Sequence, residues 1–487
     1  MSSTTNSRRR WGALALIVTA QFMVILDVAI VNVALPSIKT DLGFSQANLQ
    51  WVVSAYAIVF GGVLLLGGRL ADLLGRRRLF VAGLLLFAAS SLLCGIAWSE
   101  GSLIFFRAVQ GLGGALLAPA ALSLLMTTFA EGRDRNRALG IYGAASGSGA
   151  AAGVLFGGLL TSYLSWSWIF FINVPVGIAA AILAPIVLTE SRPDLGHRHF
   201  DLAGAATATS GLMLLVYALT RATTDGWTAP VTLASLGGSV ALIGAFLVLE
   251  ARSPWPLLPL RLFRNRTLSA ANASMAIIGS VTFSEFFLLS LYLQDILGYS
   301  AVQSGAAFVA FAGTVVVISN VAQVIVGRIG VRATLTAGLL ISATSVALIA
   351  QLPLDGHYFW DIFPAFIIGG AGLGLSFVPV TIGGLSGVGR SDAGVASGLI
   401  NTSRQIGGAI GIAAATAIAS AATRNYGGAP AGSLAALDHG YRVALVSLVG
   451  LLIVGAAIAG FALRPAAPVG VPETAEPPES PLLEEAA

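Results

Sequence analysis

Four ionisable side chains fall within long apolar stretches of the sequence, and they are Asp27, Arg107, Glu285 and Arg404. A charged side chain at the centre of a lipid bilayer costs roughly 3 kcal/mol or more, so such residues face a protein interior or a wet cavity and usually have a function. A carboxyl group in apolar surroundings avoids this cost by binding a proton, and a nearby arginine or incoming water favours its release. These residues therefore predict proton binding that depends on conformation, with Asp27 as the first candidate.

Glu285 has two functional interpretations. It is either a second proton site or a counter-charge for a cationic substrate. For all four residues, a structural ion pair is the alternative.

The composition indicates a protein that crosses a membrane many times. Of the 487 residues, 56% are hydrophobic and 10% are charged, whereas soluble domains carry about a quarter charged residues. The single cysteine, Cys94, excludes a disulfide within the chain and a thiolate metal site. The net charge of +4 reports membrane topology, so we expect a lipid bilayer as partner and no nucleic acid.

Fourteen apolar runs reach the roughly 20 residues that a spanning helix needs. The runs are 11–35, 49–69, 79–97, 102–128, 138–161, 166–189, 202–221, 230–249, 268–293, 302–326, 333–352, 359–380, 394–420 and 441–463. With the N-terminus in the cytoplasm, twenty of the 26 basic residues fall on the cytoplasmic side. This bias predicts that both termini are cytoplasmic.

The second and third runs are joined by the stretch GGRLADLLGRRRL at residues 67–79. Its glycines permit a tight turn, and its arginines alone would fit any cytoplasmic loop. The spacing, however, resembles the signature loop of the major facilitator superfamily, which is thought to hold the two helical halves together on the cytoplasmic side. The matching residues are Gly68, Asp72, Gly75, Arg76 and Arg77.

Four further stretches resemble the fourteen-helix drug/proton antiporters (EmrB/QacA-like) of this superfamily. They are residues 26–36 around Asp27, 107–115 beginning with Arg107, 166–177 and 398–408 around Arg404. In facilitators, the arginine that Arg107 matches is implicated in proton coupling. Glu285 matches no motif position, so its assignment depends on its place in an apolar run.

The fifth run carries a glycine ladder that is similar to the antiporter motif of exporters. Its members are Gly140, Gly149, Gly153, Gly157 and Gly158, and Val154 stands where the motif has a proline. Such glycines allow helices to approach closely, and a proline kink is not expected here. The resemblance therefore implies export, with less support for antiport than an intact motif would give.

The resemblance implies an all-α major facilitator fold of two six-helix bundles with two inserted helices. On that basis we expect a cytoplasmic tail at 1–10, a first bundle at 11–189, inserted helices at 190–251, a second bundle at 252–464 and a disordered tail at 465–487. Residues 327–332 echo the signature loop without its aspartate, as a repeat of the first bundle would.

The expected function is proton-coupled export of small amphiphilic drugs or antibiotics, with a cationic substrate as one option, across a bacterial plasma membrane. No cofactor is expected, because the proton gradient supplies the energy. A polyspecific site is apolar and aromatic with a few polar groups, and the candidate linings are Gln21, Phe22, Asn32, Tyr56, Phe286, Tyr292, Asn401 and Gln405. The alternatives are a dedicated exporter of one native metabolite or lipid and, more distantly, a multipass membrane enzyme.

Overall fold

The computed structural model describes residues 2–129, 133–190, 201–254, 256, 258, 260–386, 393–427, 430 and 433–463. All regular structure in these ranges is helical. The first half comprises α1 (Ser2–Leu42), α2 (Gln46–Leu49), α3 (Trp51–Leu74), α4 (Arg76–Gly95), α5 (Glu100–Thr128), α6 (Arg133–Tyr163), α7 (Trp168–Phe171) and α8 (Asn173–Val187).

Two helices follow, α9 (Leu202–Thr224) and α10 (Pro230–Arg252). The second half comprises α11 (Arg266–Leu291), α12 (Ala301–Ile349), α13 (Phe363–Leu385), α14 (Ala393–Arg424) and α15 (Leu434–Ala462). A 3₁₀ turn at Leu260–Arg264 and π-helical turns at Tyr292–Ile296 and Tyr358–Ile362 adjoin these helices. Helix α1 already begins at Ser2, within the predicted tail, and the predicted disordered tail at 465–487 lies outside the described residues.

Twelve of the described helices are long and apolar enough to cross a membrane. One of them, α12, has 49 residues, which as a straight helix would measure about 74 Å, far more than a bilayer core of about 30 Å. Gly330 interrupts it with φ 81° and ψ 167°. The interruption divides α12 into a first arm, 301–329, and a second arm, 331–349.

Contacts with α13 show that the two arms run in opposite directions. Gly370 of α13 contacts Phe311 of the first arm, and Gly374, one turn later, contacts Ile318. The first arm and α13 therefore run in the same direction. Towards the second arm the order reverses, because Gly369 meets Ser345 whereas Gly372 meets Ser342. The chain therefore folds back on itself at Gly330, and α12 is a helical hairpin.

The helix ends have local causes in the sequence. Ser99 and Ser300 each begin a helix with a capping box, completed by Ser102 and Gln303 respectively. These side chains satisfy backbone N–H groups that have no partner within the helix. The side chain of Asn265 caps α11 in the same way by accepting from the next turn.

The glycine ladder gives α6 a close approach to α1. A Cβ on Gly153 would lie 2.8 Å from the carbonyl oxygen of Leu26, and one on Gly157 would lie 2.8 Å from that of Ile30. Gly149 packs on Phe22 of α1 in the same way. Gly140 lies in the same helix, which continues as an α-helix through Val154, so the missing proline leaves no break.

The two halves meet at the end of the molecule where α1 ends, which we call the Leu42 end; the opposite end is the Arg10 end. The Ser290 hydroxyl donates to the carbonyl of Asn32 (2.5 Å), and the Gln294 amide donates to that of Val33 (3.0 Å). Gly158 faces the carbonyl of Ala301, which a Cβ would approach to 2.5 Å. The Leu42 end is thus closed in this conformation.

Helix α9 packs along both halves. The Gln50 amide of α3 donates to the Thr220 hydroxyl at 2.6 Å, and Gly62 of the same helix packs on Thr209. Val216 belongs to an apolar cluster that includes Ala409 of α14. Helix α10 packs on α9, and many of its apolar side chains are exposed.

We expect Gly158→Ala to destabilise closure of the Leu42 end, because its new methyl group would meet backbone atoms of α12. The measurement is the rate at which a water-soluble maleimide labels Val33→Cys, a fully buried position, in a Cys94→Ala background. The rate should rise several-fold in the Gly158→Ala protein. Gly313→Ala, where a Cβ meets nothing within 4 Å, is the control and should leave the rate unchanged. Equal labelling of both folded variants would contradict the expectation.

Candidate functional site

Asp27 lies on the second half of α1 and is completely buried in the interior of the first half. Side chains from α4, α5 and α8 converge on it. They are Ser91, Arg107, Gln110 and Asn173, each no more than 1% exposed. Isolated buried polar groups are costly, so their presence together indicates that each satisfies another.

The carboxylate of Asp27 accepts three hydrogen bonds. Arg107 Nη1 lies 2.7 Å from Oδ2 and forms a buried ion pair with it. Gln110 Nε2 and Asn173 Nδ2 donate to Oδ1 at 2.8 and 2.9 Å. Every partner of Asp27 is a donor, which suits an ionised carboxylate, since that group only accepts.

A second layer holds these donors in place. The Ser91 hydroxyl accepts from both Gln110 and Asn173 at 3.1 Å and donates to the carbonyl of Phe170 at 2.9 Å. Arg107 also donates from Nε to the carbonyl of Val52 at 2.9 Å and from Nη1 to Gln110 Oε1 at 2.5 Å. The orientation of the guanidinium is therefore fixed from several sides.

Tyr56, a predicted lining residue, forms one wall of this site. Its ring lies 4.5 Å from Arg107 Cζ, a cation–π distance. The side chain is 2% exposed. Tyr56 thus packs directly against the cation of the Asp27–Arg107 pair.

The geometry determines what this site can do. A proton can replace Arg107 as the partner of Asp27 only if the ion pair separates, because the carboxylate faces donors alone. In the present conformation the carboxylate has no exposed surface. Proton exchange therefore requires a movement of the surrounding helices.

Glu285 lies in the interior of the second half, 6% exposed, and its Oε1 has no hydrogen-bond partner among the described residues. It lines a cavity of about 20 Å³, which has room for one water molecule. Apart from Glu285 and Gly369, the wall has three hydroxyl groups and six apolar side chains. They are Thr282, Ser342, Ser376, Ile278, Val281, Phe311, Leu339, Leu373 and Leu452.

Arg404, on α14, is half-buried and forms no ion pair among the described residues. Its Nε lacks a hydrogen-bond partner, and its Cζ lies 6.0 Å from the ring centre of Phe377 on α13. Asn401, one turn earlier, is exposed, whereas Gln405 is buried against Gly61 of α3. These positions place Arg404 and its neighbours where the second half faces the first.

The remaining predicted lining residues divide into two groups. Gln21 accepts from the Tyr142 hydroxyl at 2.7 Å, and Phe22 is half-buried beside it on α1. Asn32 donates to the carbonyl of Val28 within α1. By contrast, two residues lie inside the second half: Phe286 stacks on Phe308 at 4.8 Å, and the Tyr292 hydroxyl bonds the carbonyls of Leu352 and Pro353.

The signature loop turns at Gly75, whose φ of 106° favours glycine. Arg77 anchors the loop to the end of α8: its backbone N–H donates to Glu190 Oε1 at 3.1 Å, and its guanidinium donates to the carbonyl of Leu188 at 3.3 Å. The side chain of Asp72 lies outside the described residues. Gly68 packs on Pro119 of α5, and Arg76 is half-buried.

Sequence analysis identified Asp27 and Arg107 but assigned no role to Ser91, Gln110 or Asn173. The last two lie within the quoted motifs, and all three are polar residues within apolar helices. A polar residue in an apolar helix was therefore the available signal. The sequence does not show which of these residues meet, because packing between distant segments decides which helix faces contact each other.

A bundle of apolar helices with a buried ion pair and with polar side chains between its halves defines a polytopic membrane transporter. Comparisons with known proteins agree. Residues 17–412 match the family model of the Major Facilitator Superfamily. The chain therefore belongs to the major facilitator superfamily, as predicted, and it is a transporter of small molecules rather than an enzyme.

Several relatives confirm the drug-efflux branch. A puromycin resistance protein of Streptomyces alboniger is 39% identical, with 93% of this chain and 91% of that protein covered. A cephamycin export protein of Amycolatopsis lactamdurans is 40% identical, with 90% and 89% covered. A lincomycin resistance protein of Streptomyces lincolnensis is 31% identical, with 96% and 95% covered.

Solved structures share the fold. A bacterial homologue of the human lysosomal transporter Spinster superimposes with a TM-score of 0.67 at 17% identity, with 94% of this chain and 97% of that chain covered. The peptide transporter PepTSo gives a TM-score of 0.68 at 16% identity, with 92% and 96% covered.

We expect Arg107→Gln to destabilise the protein, because it leaves the Asp27 carboxylate buried without a cation. Removal of one partner of a buried ion pair costs about 3–5 kcal/mol. Asp27→Asn combined with Arg107→Gln should recover much of the loss. The measurement is the thermal midpoint of the two single variants and the double variant in detergent. If the decrease in thermal midpoint of the double variant equals the sum of the decreases in the single variants, the two side chains are not energetically coupled.

Proposed function

We propose that the protein is a proton-coupled exporter of amphiphilic drugs or antibiotics that works by alternating access, with Asp27 as the proton carrier. The observation that carries this proposal is the fully buried Asp27–Arg107 ion pair, 2.7 Å long, in the interior of a membrane helix bundle. A buried carboxylate that can exchange its arginine partner for a proton has two states of different charge. Such a group can couple a proton gradient to a conformational change.

In the present conformation Asp27 is ionised and paired, and the Leu42 end is closed. We assign this to the stage after the proton has been released to the cytoplasm. When the bundles rock and the Leu42 end opens, water reaches the first half, and a proton from outside replaces Arg107 as the partner of Asp27. After the Leu42 end has closed again, this proton leaves on the cytoplasmic side and Asp27 pairs with Arg107 once more.

The proposed topology has fourteen spans with both termini in the cytoplasm of a bacterium, in its plasma membrane. Twelve described helices meet the length and hydropathy criteria. The hairpin at Gly330 makes α12 two spans rather than one, and α6, with 31 residues, supplies the fourteenth. The Arg10 end, which carries most of the basic residues, is then the cytoplasmic side.

The proposed substrate region lies between the halves towards the Arg10 end. Phe22, Asn401 and Arg404 offer an aromatic, a polar and a cationic group there, and Phe377 adds an exposed ring. Because Phe286 and Tyr292 are enclosed in the second half, we leave them out of this region. No cofactor is proposed, since the proton gradient drives the cycle.

We expect Asp27→Asn to leave the protein folded and inserted while abolishing transport driven by a pH gradient, because the amide cannot carry a proton. The measurement is ethidium efflux in inverted membrane vesicles with and without an imposed gradient. Asp41→Asn, an acid near the Leu42 end that accepts from Trp166, is the control and should respond to the gradient normally. Full gradient-dependent transport by Asp27→Asn would refute the proposed role.

A dedicated exporter of one native metabolite is the second candidate. Three relatives are each named for a single antibiotic, namely puromycin, cephamycin and lincomycin, which favours this alternative. The two candidates differ in competition assays. A polyspecific exporter should show mutual inhibition of ethidium efflux by chemically unrelated drugs at comparable concentrations. A dedicated exporter should be inhibited by one structural class alone.

A further inference from the structure

The two halves repeat the same helical hairpin. Gly75 joins α3 to α4 with φ 106°, and Gly330 joins the two arms of α12 with φ 81°. Each glycine lies between two antiparallel helices that pack against the next long helix, α5 in one half and α13 in the other. Facilitator halves are related by an approximate axis along the membrane normal, so these two glycines are equivalent.

Close contacts set the register of the repeat. A Cβ on Gly83 would lie 2.8 Å from the backbone nitrogen of Leu117, and a Cβ on Gly338 would lie 2.8 Å from that of Ser376. Gly83 and Gly338 each lie eight residues after the turn glycine of their half. Leu117 on α5 is therefore equivalent to Ser376 on α13.

A second pair of contacts gives the same register. Gly113 of α5 faces the backbone nitrogen of Phe87, and Gly372 of α13 faces that of Ser342. Since Gly113 and Gly372 each precede the residue of the first pair by four positions, the assignments agree.

The first helices of the two halves, α1 and α11, touch where the Ser290 hydroxyl donates to the carbonyl of Asn32. The glycines that end them, Gly43 and Gly298, both have φ 69° and precede Gly75 and Gly330 by the same 32 residues. In this register Asp27 corresponds to Thr282, and Glu285 lies about one turn further along its helix on a similar face.

The helices that enclose the two acids correspond to one another. Asp27 is enclosed by α4, α5 and α8, and the Glu285 cavity is lined by the second arm of α12, by α13 and by α15. In this register the counterpart of Arg107 is Phe366, and the counterpart of Gln110 is Gly369. Phe366 stacks on Phe308 at 5.3 Å, and Gly369 borders the cavity.

The second half thus has a buried acid but lacks the cation. Charged side chains on the elements around Glu285 are, among the described residues, Arg266 at the start of its own helix, Asp295 and Asp361 in the two π-helical turns, Arg328 and Arg332 beside the turn in α12, Arg404 and Arg424 on α14, and Asp438, His439 and Arg442 on α15. None of them forms an ion pair or a hydrogen bond with Glu285. Phe366 occupies the position that corresponds to Arg107, and the cavity beside Glu285 has room for one water molecule.

From this geometry we infer that Glu285 is a second proton-binding site, enclosed by the helices that correspond to those around Asp27 but without an arginine, and that it holds a proton while Asp27 is ionised. The inference rests on the proposed proton-coupled function. A carboxylate in this cavity would be buried without cation or donor, which is far costlier than a neutral acid. In this conformation one proton site is filled while the other is empty, and exchange at both sites moves two protons in each transport cycle.

The cavity excludes the other functions considered for Glu285. It lies within one half and not between the halves, so a drug bound in the proposed substrate region does not reach the carboxyl group. A hard metal ion takes about six or more oxygen ligands, and this wall supplies one carboxyl group and three hydroxyls among apolar side chains. Of these hydroxyls, that of Ser376 already donates to the carbonyl of Gly372.

The test combines infrared difference spectroscopy with a proton count on the full-length protein in detergent. A pH jump from alkaline to neutral should produce the carbonyl stretch of a protonated carboxylic acid in wild type, and Glu285→Gln should lose it. A pH-indicator dye should report about one proton fewer taken up per Glu285→Gln molecule. Glu100→Gln, an acid that accepts from Asn48 near the protein surface, is the matched control and should keep the band.

Three results would overturn the inference. The first is a folded Glu285→Gln protein that keeps the band and the full proton count. The second is a band that disappears in Na⁺ but not in choline, and the third is the same number of protons per exported ethidium in Glu285→Gln as in wild type. If the Glu285→Gln protein is not monodisperse, the Glu285→Met protein takes its place in these measurements. Failure of the Asp27 mechanism is distinguishable, since it would appear as normal gradient-driven transport in Asp27→Asn. That variant should retain the Glu285 band.

Discussion

The buried ion pair between Asp27 and Arg107 is the interaction on which the rest of this account depends. Two charges in a dry interior are stabilised only when the geometry is good and additional hydrogen bonds satisfy the remaining polar atoms. Gln110, Asn173 and Ser91 supply those bonds, and they draw three further helix segments towards α1. The first half is thereby held together around one charge. A change in the charge of Asp27 therefore changes its hydrogen bonds with α5 and α8, the helices whose side chains donate to it.

Closure of the Leu42 end depends on a different kind of contact. Glycines of α6 bring it against backbone atoms of α1 and α12, and a few hydrogen bonds to backbone carbonyls join α1 to α11. Packing of small residues and interhelical hydrogen bonds are the forces that associate helices in lipid, where apolar side chains gain little by leaving the lipid tails. One ion pair of 3.9 Å, between the partly exposed side chains of Lys39 and Asp295, also joins the halves here. Such a pair near the surface contributes about 1 kcal/mol or less.

The two halves share a fold but differ in electrostatics. In the first half the acid is neutralised by an arginine, whereas Glu285 in the second half has no cation beside it, and phenylalanine and glycine occupy the positions that correspond to Arg107 and Gln110. Corresponding helices thus provide two different environments for a carboxyl group. A duplicated scaffold can diversify in this way, because the helix register is fixed by glycine contacts that do not involve the acids.

Much of the fold could be predicted from the sequence, because apolar runs of membrane length and the turn glycines are local signals. The buried position of Asp27 and Arg107 could also be predicted, since a charge in an apolar run has few alternatives. The partners Ser91, Asn173 and Glu190 could not, because they come from segments that only tertiary packing brings together. In the sequence, Phe286 and Tyr292 cannot be distinguished from aromatic residues that line a substrate site. The rotation of their helix places both side chains inside the second half. The reversal at Gly330 agrees with the prediction, because the sequence separates the runs 302–326 and 333–352 and residues 327–332 echo the signature loop.

The most direct test is whether proton binding at Asp27 depends on the closure of the Leu42 end. A disulfide between Ser162→Cys and Val302→Cys, whose parent residues are joined by a hydrogen bond of 3.3 Å, would hold that end closed in a Cys94→Ala background. Proton uptake after acidification is then counted before and after reduction of the disulfide. The account predicts that reduction releases additional uptake of about one proton and that this difference disappears in Asp27→Asn. Equal uptake by the locked and the released protein would contradict it.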